Sequence, residues 1–568
     1  MNQPSPALVT EEAARRLPRW ALLLLCVAYV IPGYVGRDPW KSADVAAFGT
    51  MLELQANPWW ANWWHPSLMG LPADPMALLP YWLGAWALQL APGWVAPELV
   101  VRVPFILMLM GTLAATWNAV HCLARHAGAQ PVAFAFGGEA RAPDYAHALA
   151  DGGLLALIAC LGLAQFSHET TPALAQLFFG TVVFYGLAAL PFQPVAAPLA
   201  LLLGLPGLSL SGAPTTALIY GGIAALSLLR PAIGYLTPER RWRAFAVLTI
   251  ITLGCAVLGV QAELLSWKLE TPPASWHHWR AVGQLFLWFT WPAWPLMLWS
   301  LWRWRNQLRN LDQHRHLGLP LLIASVPVIG TIFTAAGDRA LLLALPALAA
   351  LAAFALPTFK RSAAALIDWF TVLFFTGWAI VIWVVWISLQ TGVPAKPAAN
   401  VARLAPGFES VFQWPALLAA LGATAAWIAL ARWRTARQRT ALWKSLVLPA
   451  AGATLCWILL MTLWLPALNY ARSYAAQMRA VHRVIGSVPC VQVHGLSAAQ
   501  VAAVRFQGGW DTVPALGPGT CPWMLVDVDA LASLPAAVSM TQWHQVANIQ
   551  RPTGKDDALL IYGRIRVR

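Results

Sequence analysis

Charge is scarce in this 568-residue chain. Asp, Glu, Lys and Arg together make up only 11% of it, less than half of the ~25% usual in a soluble domain. Carboxylates are the rarest, with 23 Asp and Glu against 37 Lys and Arg and a net charge of +14. So few charges, in a sequence that is 59% hydrophobic, exclude a disordered chain and a cytosolic enzyme. Cysteine is also thin, at 7 residues, which excludes a secreted disulfide scaffold. What remains in excess is apolar side chains gathered in runs of about twenty, the length that crosses a bilayer. The chain reads as a polytopic α-helical membrane protein.

The first run, Trp20 to Val35, follows Arg15, Arg16 and Arg19. No small-residue cleavage site follows it, so it is read as an uncleaved span. Further spans are expected to start near Leu99, Gly152, Thr171, Ala197, Thr215, Phe245, Gln284, Gly318, Ala340, Leu366, Val411 and Leu446, about 13 in all. Basic residues mark alternate loops, as the positive-inside rule requires. They cluster at Arg15/Arg16/Arg19, Arg125/Arg141, Arg230/Arg240/Arg241/Arg243, Arg303/Arg305/Arg309/Arg315, Lys360/Arg361 and Arg432/Arg434/Arg437/Arg439/Lys444. This pattern places the N-terminus in the cytoplasm and the tail outside, and it accounts for the positive charge without nucleic acid. Many of the 33 Trp fall near span ends, where an amphipathic ring suits the headgroup layer.

Two outer segments are too long to be connectors. The first, residues 37–98, has apolar stretches at Val45–Leu54 and Met76–Leu90 that suggest helices along the membrane surface. The second begins after residue 464. A helical stretch, Leu468–Ile485, leads there into strand-like runs at Cys490–Val493, Trp523–Val528, Trp543–Ile549 and Leu559–Val567. The expected organisation is a transmembrane domain, 1–464, and a small α/β domain, 465–568. Cys490 and Cys521, each opening a candidate strand, are a disulfide candidate in an oxidising compartment. The adjacent glycines of Phe136-Gly137-Gly138-Glu139 are read as a turn.

Acids on the outer side are conspicuous because they are few. Asp38 and Asp44 follow the first span, and Glu169 sits in Phe166-Ser167-His168-Glu169-Thr170-Thr171-Pro172. A carboxylate at the membrane surface can take a proton from an attacking hydroxyl; the plainer alternative is a helix end facing water. Outer cations are rarer still: Lys268, Arg280, Arg339, Lys396, and Arg102 just inside the second span. A cation in the tight Gly337-Asp338-Arg339 turn could grip a lipid phosphate, helped by His277 or His278; snorkelling is the alternative. Those two His are adjacent, so on a helix they diverge, and no metal site stands out.

In their order, these residues resemble the GT-C glycosyltransferases, among them protein O-mannosyltransferases and the bacterial aminoarabinose transferase of lipid A. Ser42-Ala43-Asp44-Val45-Ala46-Ala47-Phe48-Gly49 is similar to that family's first-loop motif, with Val45 where Glu is usual. His65-Pro66-Ser67 and Leu78-Leu79-Pro80-Tyr81-Trp82-Leu83 resemble the segment that follows it. His168-Glu169-Thr170-Thr171-Pro172 resembles the segment with the second acid, Glu standing where Asp is common. Arg339 before Leu345-Pro346 resembles the late basic segment, without its usual aromatic. Leu465 to Tyr474 resembles the opening of the aminoarabinose transferase's outer domain.

The resemblance implies transfer of a sugar from a polyprenyl-phosphate carrier, undecaprenyl phosphate in a bacterium, to a lipid, glycan or protein acceptor at the periplasmic face of the inner membrane. It implies Asp44 as general base with inversion, and Glu169 orienting acceptor or donor. Arg339, Lys268, His277 and Arg102 would hold the donor phosphate. Asp38, His65, Trp63 and Trp64 would meet acceptor or sugar. No cofactor beyond the lipid-linked donor is implied, and divalent metal is left open. The rival readings are a secondary transporter or flippase, which usually shows repeated halves and midplane charges, and a non-catalytic assembly protein.

Overall fold

The computed structural model describes residues 5–565 except 58–59, 230–236, 266–270, 274, 312, 335–336, 437–440, 517–520 and 555–556. Of the sequence readings, those on Arg230, Lys268, Arg437, Arg439 and the end of the Leu559–Val567 run lie outside the described residues. The architecture is mostly helical. Among the described residues, seven helices are long and apolar enough to cross a membrane: Pro97–Ala124, Pro172–Ala189, Pro238–Gln261, Arg315–Phe333, Arg361–Thr391, Trp414–Arg434 and Lys444–Thr462. The other expected spans coincide with shorter helices or broken pairs, such as Arg19–Val30, Ala196–Leu210 and Pro214–Leu229. The span expected near Gln284 is two helices, Trp276–Phe289 and Ala293–Arg303. Pro292 and Pro295 lie at the break, where a missing N–H and a ring that clashes with the preceding turn interrupt a helix. The one expected near Ala340 is likewise Gly337–Leu342 and Leu345–Ala353, the second restarting on Pro346, a residue preorganised for a first turn.

The chain divides into two compact units. One contains residues 1–34, 105–380 and 418–459. Its helices carry an apolar groove of about 380 Å³, lined by Trp291, Pro295, Trp299, Phe370 and Leu446 among others. The other contains residues 35–104, 381–417 and 460–568, so the long segment after the first helix and the C-terminal sheet form one body.

In that second body, five strands form a mixed sheet: β1 (Cys490–His494), β2 (Asp511–Pro514), β3 (Trp523–Asp527), β4 (Trp543–Gln550) and β5 (Ala558–Arg564), in the order β2-β1-β3-β5-β4. β1 runs parallel to β2 and β3, while β5 pairs antiparallel with both β3 and β4. Side chains alternate between faces. Val491, Val493, Leu525, Leu559 and Ile561 form a core on one face, with Met478, Val481 and Ile485 of the Ala475–Ile485 helix and with Ala502 and Ala503 of Ala498–Phe506. Met524, Val526, Leu560 and Tyr562 pack with Trp543 and Leu534 on the other. Ser497 and Gln500 start the Ala498–Phe506 helix with a reciprocal capping box, which satisfies two of its open N–H groups. Cys490 and Cys521 are joined by a disulfide.

The segment 35–104 supplies part of this core. Its Ala43–Ala56 helix buries Val45 against the same cluster. Gly49 of that helix lies so close to Ala502 that a Cβ there would overlap the alanine methyl. Glu53 and Arg505 add an ion pair between the two helices. Val45 is fully buried, and a carboxylate in its place would enter an apolar core at a large desolvation cost.

Candidate active site

Asp44 occupies the first turn of the Ala43–Ala56 helix, where the helix dipole and open N–H groups favour negative charge. It is 4% exposed. Its Oδ2 accepts from Arg37 Nη2 at 2.8 Å and from the Trp40 backbone N–H at 3.2 Å. Arg37, itself 2% exposed, lies 4.3 Å from the centre of the Trp40 ring. The loop Arg37–Trp40 thus folds back on its own helix, and the buried carboxylate has a buried counter-charge, without which desolvation would cost several kcal/mol. Arg102 is buried, donates to the Arg37 carbonyl oxygen, and lies within electrostatic reach of Asp44, Asp38 and Glu98. Sequence reasoning overlooked Arg37 and Trp40. The available signal was a lone Arg directly after the first span, seven residues ahead of Asp44.

The loop is tied down from within the same unit. Asn469, half-buried in the Leu465–Arg472 helix, accepts at Oδ1 from the Asp38 N–H (3.2 Å) and from Trp40 Nε1–H (2.9 Å), and donates from Nδ2 to the Gly36 carbonyl (3.0 Å). The Lys41 N–H donates to the Arg472 carbonyl at 2.8 Å. Lys41 also pairs with Asp557, which Arg551 Nε approaches at 3.1 Å. Arg551 and Thr553 both donate to the Ala471 carbonyl. Tyr474 closes this patch, its phenol pushed up by burial and then by Asp557.

The remaining candidates of this unit lie elsewhere on it or in part beside it. Asp38 is half-buried and His65 exposed. Trp63 stacks on Trp86 with ring centres 5.8 Å apart, its carbonyl accepts from Trp82 Nε1–H, and Trp64 meets the edge of Trp82. Their rings therefore make an aromatic cluster with the Leu79–Leu90 helix, worth packing energy whatever else they touch.

In the other unit, Glu169 is 4% exposed and accepts from Arg339 Nη2 at 3.2 Å. The guanidinium lies 5.4 Å from the Phe166 ring centre, and its side chain is 35% exposed. Gly337, in the left-handed region at φ +51°, opens the short helix that carries Arg339. The Ser167–Glu169 turn is anchored on the end of the first helix: Tyr34 donates to the Ser167 carbonyl at 2.8 Å, and buried His168 packs among Tyr29, Tyr34 and Trp457. Gly33 approaches so closely that a Cβ would overlap the His168 ring. Phe166 in turn packs on Phe289, and the Leu161 N–H donates to the Trp291 carbonyl. Through these contacts the Glu169–Arg339 pair connects to the Trp291 end of the apolar groove. His277 is exposed on the first turn of the Trp276–Phe289 helix. No group of three metal-ligating side chains is present among the described residues.

Each unit therefore presents a buried carboxylate paired with an arginine, a set suited to proton transfer and to anion recognition. No family model matches the chain, and no curated relative matches it by sequence. Solved structures do match. The crystal structure of ArnT from Cupriavidus metallidurans in the apo state is similar with a TM-score of 0.58 and 14% identity, covering 96% of this chain and 98% of that one. The same protein bound to undecaprenyl phosphate is similar with a TM-score of 0.56 and 14% identity, covering 97% and 98%. The chain therefore has, over nearly its whole length, an ArnT-like fold.

Proposed function

We propose that this protein is a membrane glycosyltransferase that moves a sugar from a polyprenyl-phosphate donor to an acceptor at the outer face of a bacterial inner membrane. The observation that carries this reading is the buried Asp44–Arg37 pair at a helix N-terminus, in a chain whose fold is shared with a protein crystallised with undecaprenyl phosphate. In this reading the chain crosses the membrane about 13 times, the N-terminus is cytoplasmic, and the C-terminal sheet domain lies outside.

The reaction follows from the side chains. The acceptor oxygen attacks the anomeric carbon from the face opposite the phosphate, and its proton passes to the Asp44 carboxylate. The bond between the anomeric carbon and the phosphate oxygen breaks, inverting the centre, and the lipid phosphate leaves with the electron pair. Arg339 stabilises the charge that develops there, with Glu169 fixing the guanidinium's orientation. Phosphate is a good leaving group, so no second carboxylic acid is required, in contrast to glycoside hydrolysis. The groove that opens at Trp291 is the natural place for isoprenoid units below that phosphate, being apolar and within the ~300–1,000 Å³ range of ligand sites. Lys268, His277 and Arg102 are retained as further phosphate contacts, and Asp38, His65, Trp63 and Trp64 as contacts to sugar or acceptor.

The test is to incubate purified protein with a panel of labelled polyprenyl-phosphate sugars and extracted envelope lipids and glycans. Label covalently joined to an acceptor by wild-type protein supports the transferase. Label that crosses vesicle membranes with its phosphate bond intact identifies a flippase and ends the proposal.

A further inference from the structure

We propose that Asn469 is a positioning residue for transfer, holding the loop that orients Asp44; this rests on the assignment of Asp44 as the base. A side-chain amide offers two acceptor lone pairs and two donors. Asn469 uses both kinds on one short loop. Its Oδ1 takes the Asp38 N–H and Trp40 Nε1–H, while Nδ2 gives a hydrogen to the Gly36 carbonyl. Rotating the amide by half a turn would set NH₂ against two N–H donors, so its orientation is unambiguous. The three bonds bracket Arg37 on either side in the chain.

The loop so held carries both groups that grip Asp44 Oδ2, Arg37 Nη2 and the Trp40 N–H. Arg102 holds the same loop through the Arg37 carbonyl. Asn469 is itself on a fixed base, since the carbonyl of Ala471, two residues on, takes hydrogen bonds from Arg551 and Thr553. Its effect on the reaction therefore passes through the placing of one carboxylate. Displacing a reacting group by about 1 Å costs about a hundredfold in rate, so loss of three loop bonds should lower kcat between about tenfold and a hundredfold while leaving donor binding alone.

The experiment measures kcat, donor KM and thermal midpoint for purified full-length Asn469→Ala and Asn469→Asp, with a labelled polyprenyl-phosphate sugar shown to be a substrate of the wild type. Asn469→Ala is expected to lose at least about tenfold in kcat, with KM within about twofold of wild type. Asn469→Asp keeps both acceptor bonds and loses the donation to Gly36, so its kcat should fall between the two. A wild-type kcat in Asn469→Ala overturns the proposal. So does a parallel drift of kcat, KM and thermal midpoint, which marks a merely structural contact. If Asn469→Ala does not purify folded, Asn469→Asp decides by the same split. Asp44→Asn, assayed alongside, separates the two levels: normal turnover there removes the base itself, whereas an inactive Asp44→Asn beside a fully active Asn469→Ala removes only the positioning role.

Discussion

Replacing Asp44 by Asn takes away the proposed base but keeps an oxygen for the hydrogen bonds from Arg37 and the Trp40 N–H. Two losses are then expected, and they can be separated. A general base contributes about a hundred- to ten-thousandfold in rate, or roughly 3–5 kcal/mol of barrier, so transfer should fall by at least about a hundredfold. Stability should also fall, because Arg37 is left charged at 2% exposure. Breaking a buried ion pair costs about 3–5 kcal/mol, reduced here to about 2–3 kcal/mol by the two bonds that an amide oxygen retains. In a body of about two hundred residues that lowers the thermal midpoint by roughly 5–10 °C. The double variant Arg37→Met/Asp44→Asn removes both charges, and an apolar replacement of a buried pair is often neutral. It should regain most of the lost midpoint and none of the lost transfer. Scanning fluorimetry and label transfer on the same preparations give both numbers. Recovery of transfer in the double variant would refute the reasoning, since Asp44 would then act only through folding.

Arg339→Ala should raise the KM for the lipid-linked donor about tenfold or more with a smaller change in kcat; an unchanged donor affinity takes Arg339 out of the phosphate site. Cys521→Ser opens a loop of 31 residues, worth about 3–4 kcal/mol by chain entropy. Reductant should accordingly lower the thermal midpoint of the wild type but not of this variant, and equal sensitivity in both would contradict it.

Much of the helical layout is legible because a bilayer demands long apolar runs and supplies no competing signal. The breaks are less so. The break at Thr290–Pro292 carries proline, but membrane helices tolerate proline, so the residue alone does not announce an interruption. In the sheet domain β1, β3, β4 and β5 fall on the apolar runs read as strands. β2 does not, since Asp511–Pro514 is short and carries Asp and Thr, and the Ala498–Phe506 helix is short and dominated by Ala and Val, which gives no clear period. Asp44 is visible through its motif, and Arg339 and Glu169 through the rarity of charge. Arg37 escapes a reading that seeks cations in clusters or beside motifs. Asn469 stands within a recognisable segment, yet its partner Trp40 is 429 residues away, and nothing local announces a contact across such a separation. The Val at position 45 is informative only once the core around it is known.

The body around Asp44 is interleaved from the first and last parts of the chain, residues 35–104 and 460–568 with a short middle piece. A ribosome delivers Arg37 and Asp44 more than four hundred residues before Asn469. Until then this charged turn waits without its clamp, and a nascent chain halted short of Asn469 would hold the Asp44 carboxylate in no set geometry.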